Sequence, residues 1–374
     1  MLECQEIVIE ADPSALVEPG VWPVAPVAMY SGAREVLEKQ VAARVEATQR
    51  LMLFYSGASW NTGGGGQRPR QLAHGFAAVA ATVHMHAGDQ CLIAAAPVAV
   101  ANVEEWTTWP DAEWTCLYIG CPDELGAQLA EEAPADWVVW YDCVDDWRQP
   151  EFGDWFRPER EALITARADV VTSTARYLHA HMRRLVGRSE KPCGLVYNST
   201  MLLEQLAGFE DPEPDVDCVF VGHLGYDWWD LDLVRLLASN CSVRMIGARN
   251  GTAPAHRNIE WAGEVPNARL LPELARARVG IVPFRDLPLT RSVFPVKYAD
   301  YLAAGIPTVA ACTPELHGMP YAEVTWCPYL FLEEVQRYLR RPPSRGAVRE
   351  AAAEFGVRAA VTKVVNLFEE GGLW

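Results

Sequence analysis

Three things this 374-residue chain does not have set the first limits on what it can be. It lacks an excess of positive charge: 49 aspartates and glutamates stand against 32 lysines and arginines, for a formal net charge of -17. A general nucleic-acid binder meets phosphate with a basic surface, so that class is excluded, and docking on anionic lipid is disfavoured on the same ground. Two basic runs, His179 to Arg188 and Arg337 to Arg349, read as solvated helix faces, with peripheral membrane contact left open. It lacks any Cys-x-x-Cys pair. The 10 cysteines are scattered, several inside apolar runs where a free thiol behaves as a small hydrophobe. Neither a zinc site nor a disulfide framework is indicated, so no metal ligand is expected. It also lacks a stretch with the basic and apolar regions of a signal peptide, and any apolar run long enough to span a bilayer. The expectation is a reducing cytoplasm.

What is present is an ordinary soluble composition, 50% apolar and 22% charged, at a length sufficient for two domains. Ala277 to Cys312 organises the rest. Val279 to Val282 reads as a buried parallel strand ending at Pro283, and a polar loop with Thr290, Arg291 and Ser292 follows. Pro295 suits a helix start, where its missing N–H would be unpaired anyway. The predicted helix carries Lys297, Asp300 and Tyr301, stops at Gly305, and leads through Pro307 into a strand over Thr308 to Ala311. A cation and a carboxylate at a helix entrance, beside the carboxyl end of a parallel strand, make half of a ligand site.

Earlier in the chain, Leu51 to Ser56 reads as a buried strand, followed by a loop with Trp60, four consecutive glycines and then Gln67-Arg68-Pro69-Arg70-Gln71-Leu72 opening a helix. This loop and helix start resemble the tryptophan-bearing loop and Q-R-P-x-Q-L run of sugar transferases, which implies Trp60, Arg68 and Arg70 as acceptor contacts; a solvent-exposed flexible loop is the alternative. Strands are expected over Ala81–His86, Cys91–Ala95 and Thr115–Ile119, and a helix over Asp123–Glu131. The Trp-rich run VEEWTTWPDAEW reads as an irregular insertion covering a sheet edge, or as a sugar-stacking surface. The strand Trp137–Tyr141 ends in Asp142-Cys143-Val144-Asp145-Asp146-Trp147. Crowded carboxylates at the rim of a parallel sheet raise one another's pKa, which suits a general base; helix capping is the bland alternative. Asp142, Asp145 and Asp146 are therefore the catalytic candidates. Next come a helix over Glu159–Ala168, a strand over Ala168–Thr172, and Ser173 or Thr174 capping the following helix. The strand Cys193–Tyr197 closes this half. The acid- and proline-rich run 210–217 reads as the linker.

The second half opens with a strand over Cys218–Gly222 and the turn Gly222-His223-Leu224, whose N–H groups suit a phosphate, although the G-x-G-x-x-G spacing is absent. Asp230-Leu231-Asp232 caps a helix rather than forming a metal motif. Ala262-Gly263-Glu264-Val265-Pro266 is a turn, and two helices, Leu330–Leu339 and Gly346–Phe368, end the chain before a tail over Gly371–Trp374.

The run PVKYADYLAAGIPTVA resembles the donor-binding signature P-x-K-x-x-E-Y-x-A-A-G-x-P-V-V of family-4-like GT-B glycosyltransferases of the bacterial cell-surface polysaccharide type. The resemblance implies an α/β fold of two Rossmann-like domains facing across a cleft, with the last helix crossing back to the first domain. It implies Lys297 on the donor diphosphate and Asp300 on the ribose, with Gly222, His223, Leu224, Val265 and Tyr301 completing the donor site. Aspartate replaces the family's glutamate at 300, and the earlier glutamate of its paired pattern is Ser292. The domains implied are 1–49 (an extension of open role), 50–209 (acceptor), 210–217 (linker), 218–345 (donor) and 346–374 (crossing helix and tail). The implied activity is transfer of a sugar from a nucleotide-sugar, a UDP-sugar by frequency in the group, to a hydroxyl of a sugar or glycolipid, with no cofactor and no metal. A nucleotide-sugar epimerase and a catalytically silent sugar-binding module remain the other readings.

Overall fold

The computed structural model describes residues 33–57, 68–86, 93–95, 98–102, 109–224, 228–248 and 256–374. Trp60, the four-glycine run and Gln67 lie outside these residues, as does Trp106 of the Trp-rich run.

Two sheets form. The first contains β1 (Arg50–Tyr55), β2 (Ala81–His86), β3 (Ile93–Ala95), β4 (Val98–Asn102), β5 (Trp114–Ile119), β6 (Val138–Cys143), β7 (Val170–Ser173) and β8 (Cys193–Leu195), ordered β3-β4-β2-β1-β5-β6-β7-β8. All neighbours pair parallel except β3, which is antiparallel to β4. The second contains β9 (Val216–Val221), β10 (Val243–Ile246), β11 (Ile259–Gly263), β12 (Ala277–Pro283), β13 (Thr308–Ala311) and β14 (Ala322–Thr325), parallel throughout and ordered β11-β10-β9-β12-β13-β14. Helices cover both: α1 (Ala33–Thr48), α2 (Arg68–Phe76), α3 (Glu124–Glu132), α4 (Pro158–Arg167) and α5 (Arg176–Val186) with the first, then α6 (Leu231–Ala238), α7 (Asn267–Ala275), α8 (Pro288–Ser292), α9 (Val296–Ala304), α10 (Pro328–Arg340) and α11 (Arg345–Ala352) with the second, and α12 (Val357–Glu370) returning to the first. The two-sheet α/β architecture is the one expected.

The central strand shows why. β1 reads RLMLFY with no alternation, because both of its faces are covered. Leu51, Leu53 and Tyr55 enter one core, while Met52 and Phe54 enter a second, aromatic core with Phe76, Tyr118, Trp140 and Phe368. Phe368 belongs to α12, which thus completes the core of the first sheet. The approach is close: a methyl group on Gly75 of α2 would lie 2.6 Å from the side chains of Val357 and Val361. Gly75→Val is expected to lower stability by about 1–3 kcal/mol through overpacking, read as a shifted urea midpoint at unchanged slope.

Several expectations are corrected. β4 adds to the expected strands, since Val98–Asn102 follows β3 too closely to stand out as a separate run. The polar loop at Thr290–Ser292 is a short helix started by Pro288. The last helix is broken into α11 and α12 by a 3-10 turn over Ala353–Phe355 and the extended Gly356. That break places Phe355 in the core and lets its carbonyl accept from Thr200 N at 2.8 Å, where the chain crosses between the sheets. The tail is packed: Trp374 stacks on Phe368 and lies under the Arg50 guanidinium at 4.2 Å. Helix α1 buries Val41 and Val45 in the core of the first sheet. Neither Ser173 nor Thr174 caps α5. Its first N–H groups, those of Arg176 and Tyr177, donate instead to Glu315 Oε2 and Oε1 at 2.8 and 2.9 Å.

Candidate active site

The donor half grows from the carboxyl ends of β9 and β12. Helix α9 begins at Pro295 and ends at Gly305, whose φ of 77° is the left-handed conformation glycine adopts without strain. Lys297 lies in its first turn, and its stem packs toward the turn after β9: a methyl on Gly222 would meet Lys297 Cε at 3.4 Å. Gly222 and Lys297, chosen from separate motifs, are thus neighbours. The Lys297 ammonium sits over the rings of Phe284 (4.8 Å) and Phe220 (5.4 Å), and among the described residues no carboxylate lies within ion-pairing distance. Burial lowers its pKa to about 8, with the charge of Asp300 opposing the shift. The backbone is tight here too. Gly222 and Gly247 have φ of 153° and 138°, and a methyl on Gly247 would collide with the Gly222 carbonyl.

Asp300, one turn along α9, accepts from Thr200 Oγ1 at 2.7 Å. Burial raises its pKa to about 6, against the Thr200 hydrogen bond and the Lys297 charge. Tyr301 has a different job from the one expected. It is fully buried, and its hydroxyl accepts from Val221 N and donates to the Ile281 carbonyl, both at 3.1 Å. It ties β9 to β12 just before Gly222 and cannot touch a ligand. Leu224 is likewise buried, Val265 is half-buried against the core, and His223 is exposed. Asp230 caps α6, accepting from Asp232 N and Leu233 N at 3.0 Å, as expected.

The two sheets meet at their carboxyl ends through side chains. Glu315, in the turn after β13, binds the start of α5, and the Arg176 guanidinium returns to the carbonyls of Pro314, Glu315 and His317. Asn198 donates to the Phe294 carbonyl at 2.7 Å, Ser199 to Gln71, and Thr200 to Asp300. Three successive residues thus hold α2, α9 and the segment that leads into α9. Neither Thr200 nor Glu315 stands out in the sequence, because in both cases the partner is far along the chain. Glu315→Ala is expected to cost about 2 kcal/mol, since it removes a charged cap from two N–H groups, measurable by urea unfolding.

The three aspartates after β6 separate into different environments. Asp142 is completely buried. Its carboxylate accepts from Arg68 Nε (2.5 Å) and Nη2 (3.1 Å), Tyr118 Oη (3.0 Å) and Thr172 Oγ1 (2.5 Å). Four donors fill it, so it is not available as a base, and Arg68, held by Asp142 and the Tyr197 carbonyl, is an interior residue rather than an acceptor contact. Asp142→Ala is expected to cost about 3–5 kcal/mol by stranding the buried guanidinium, visible as a large loss in the urea midpoint. Asp146 is also buried, bound by Arg148 Nε at 2.6 Å and Gln149 Nε2 at 2.7 Å. Asp145 is half-buried, and its carboxylate has no hydrogen-bond partner among the described residues. Burial first, and the neighbouring Asp146 charge second, push its pKa up to about 7. Arg70 is half-buried, and that burial lowers its pKa.

No family model matches the chain. Among curated proteins it is similar to TuaH of Bacillus subtilis (strain 168), named for a glycosyltransferase role in teichuronic acid biosynthesis, with 24% identity over 210 residues, 49% of this chain. The match spans about half of that relative, 53% of its length. Among solved structures it is similar to Anabaena HepE in complex with UDP and glucose (TM-score 0.59, 12% identity, 86% of this chain and 99% of that one). It is also similar to sucrose-phosphate synthase of Thermosynechococcus elongatus (TM-score 0.58, 14% identity, covering 86% and 98%) and to the trehalose 6-phosphate synthase of Burkholderia multivorans (0.56, 11%, covering 86% and 98%). These likenesses establish the GT-B fold.

Proposed function

We propose that this chain is a glycosyltransferase that moves a sugar from a nucleoside-diphosphate sugar to a hydroxyl acceptor. The observation that carries the reading is the Lys297 ammonium, unpaired among the described residues and set beside the glycine turn after β9 at the start of α9. A diphosphate placed there meets an ammonium and a helix N-terminus together, whereas the Gly222 and Leu224 N–H groups of the turn donate to the carbonyls of Ile246 and Ala248. As the bond to the sugar breaks, charge grows on the leaving diphosphate, so these groups stabilise the transition state more than the ground state. Lys297 supplies that charge from the protein, which favours metal-independent transfer. UDP is the donor nucleotide we favour, supported by the UDP-bound HepE complex. TuaH supports an acceptor in cell-surface polysaccharide synthesis. We keep the 50–209 acceptor and 218–345 donor division, with β9 starting at Val216 inside the expected 210–217 linker, and Asp300 remains the candidate for the ribose.

On the acceptor side, Asp145 is the base of an inverting course: it takes the hydroxyl proton while the oxygen attacks the anomeric carbon and UDP departs. If configuration is retained, the proton leaves with the donor phosphate and Asp145 only orients the acceptor. Proton NMR of the product anomer decides between them. The reading as a whole is tested by incubating the protein with UDP-sugars, with and without saccharide acceptors. UDP release that depends on acceptor supports transfer. An isomerised UDP-sugar without net consumption would mark an epimerase, and binding without turnover a silent module.

A further inference from the structure

The loop that follows Asp145 and Asp146 carries four aromatic residues in ten positions: Trp147, Phe152, Trp155 and Phe156. They form one cluster. Trp147 lies 4.9 Å from Phe152 and 5.5 Å from Trp155 between ring centroids, and Trp155 lies 6.3 Å from Phe156. All four are only half-buried, unlike the aromatics of the core. The loop holding them is pinned rather than loose. Gln149 donates through Nε2 to Asp146 Oδ2 and through its backbone N to the Asp146 carbonyl, a 3-10 turn spans Pro150–Phe152, and the Arg157 guanidinium binds the carbonyls of Asp154 and Phe156.

The position of the loop is equally informative. Arg148 stands over the ring of Tyr177 at 6.0 Å, and the Tyr177 N–H is held by Glu315 from the second sheet. The cluster therefore borders the junction where the two sheets meet, two residues beyond Asp145. Exposed Glu151, Asp154 and Arg157 break up its rim. A protein partner favours a continuous apolar patch with few charges at its centre. Rings interleaved with carboxylates suit a pyranose, whose C–H face packs on an aromatic ring while its hydroxyls meet polar groups at the edge. The indole Nε1 of Trp147 is buried and has no partner among the described residues.

We infer that Trp147, Phe152 and Trp155 form a saccharide-binding subsite that seats a neutral pyranose of the acceptor beside Asp145. This rests on the reading of the chain as a glycosyltransferase and adds to it which surface takes the acceptor.

Saturation-transfer NMR tests it on the full chain held at saturating UDP, with methyl glycosides of glucose, galactose and N-acetylglucosamine as probes. At least one probe should receive saturation on its ring C–H protons. Trp155→Ala should weaken its binding by about tenfold, with Trp155→Phe retaining most of it. Phe152→Ala serves as the second variant, and the UDP affinity of each, measured by calorimetry, shows that the fold is intact. Equal saturation in the wild type and both alanine variants overturns the subsite, as does the absence of saturation for every probe in a protein that binds UDP. A protein that binds a probe through Trp155 but does not bind UDP keeps the subsite and overturns the donor reading instead.

Discussion

Lys297→Ala is expected to lower kcat/KM for the nucleotide-sugar by about 10²- to 10³-fold, the scale seen when one preorganised charge-stabilising donor is removed. The fold should tolerate the change, because the ammonium makes no ion pair among the described residues. Much of the loss should fall on kcat, since charge on the diphosphate is greatest in the transition state. Lys297 also predicts a pH dependence with a defined sign. In the free protein burial holds its pKa at about 8. A bound diphosphate favours the protonated form and raises that value. Nucleotide affinity should therefore be constant below about pH 8 and fall as the pH rises through it, with protons taken up on binding above that point. Calorimetry of UDP between about pH 7 and 9.5, in buffers of different ionisation enthalpy, measures both. An affinity in Lys297→Ala equal to wild type, with the same pH dependence, would remove the diphosphate from this lysine. Lys297→Arg is not a silent control, because a planar guanidinium cannot replace a compact ammonium over the Phe220 and Phe284 rings.

Asp145→Asn carries the second large effect, a fall in kcat of about 10²- to 10⁴-fold if the carboxylate is the base. The wild-type profile of kcat/KM should rise with pH through about 7 as Asp145 ionises, then fall above about 8 as Lys297 loses its proton, giving a narrow maximum between the two. The Asp145→Asn variant should lose the rising limb and keep the falling one. Asp146→Asn should shift the rising limb to lower pH, because the Asp146 charge contributes to the upward shift at Asp145. Unchanged turnover in Asp145→Asn, together with a retained anomeric configuration, would confine this carboxylate to orienting the acceptor. The contrast with Asp142 is informative. Loss of Asp142 should appear first as instability, because it neutralises a buried arginine, whereas loss of Asp145 should appear first in the rate.

Much of the fold was legible in the sequence. Buried parallel strands announce themselves as short, unbroken apolar runs, and β1, β6, β9, β12 and β13 were found that way. Helix ends were legible where a single residue dictates them: Pro295 before α9, Gly305 after it, Asp230 before α6. Lys297 stood out as a cation at a helix entrance beside a strand end and as the lysine of the donor signature that the run PVKYADYLAAGIPTVA resembles. The crossing of the last helix to the first sheet was implied by the family resemblance and is present, although the break at Gly356 was not expected.

The roles of individual site residues were less legible. Arg68 and Asp142 were read as separate cleft residues, one for the acceptor and one for catalysis; 74 positions apart, they neutralise each other in the interior. Tyr301 lies within the donor signature, yet its hydroxyl bonds to the backbone of two strands. The partners of Asp300 and of the α5 N-terminus, Thr200 and Glu315, lie 100 and about 139 positions away.

Local hydrophobic periodicity and end signals are properties of neighbouring residues, so the sequence by itself determined the strands, most helix ends and the place of Lys297 at a helix entrance; that the Gly222 turn lies against it came from the fold. Which carboxylate is filled and which is open depends on donors brought in from distant segments. Folding alone sets the solvent exposure that shifts a pKa. Only the tertiary structure therefore separated Asp142 and Asp146, bound and buried, from Asp145, and gathered the rings of the following loop into one cluster.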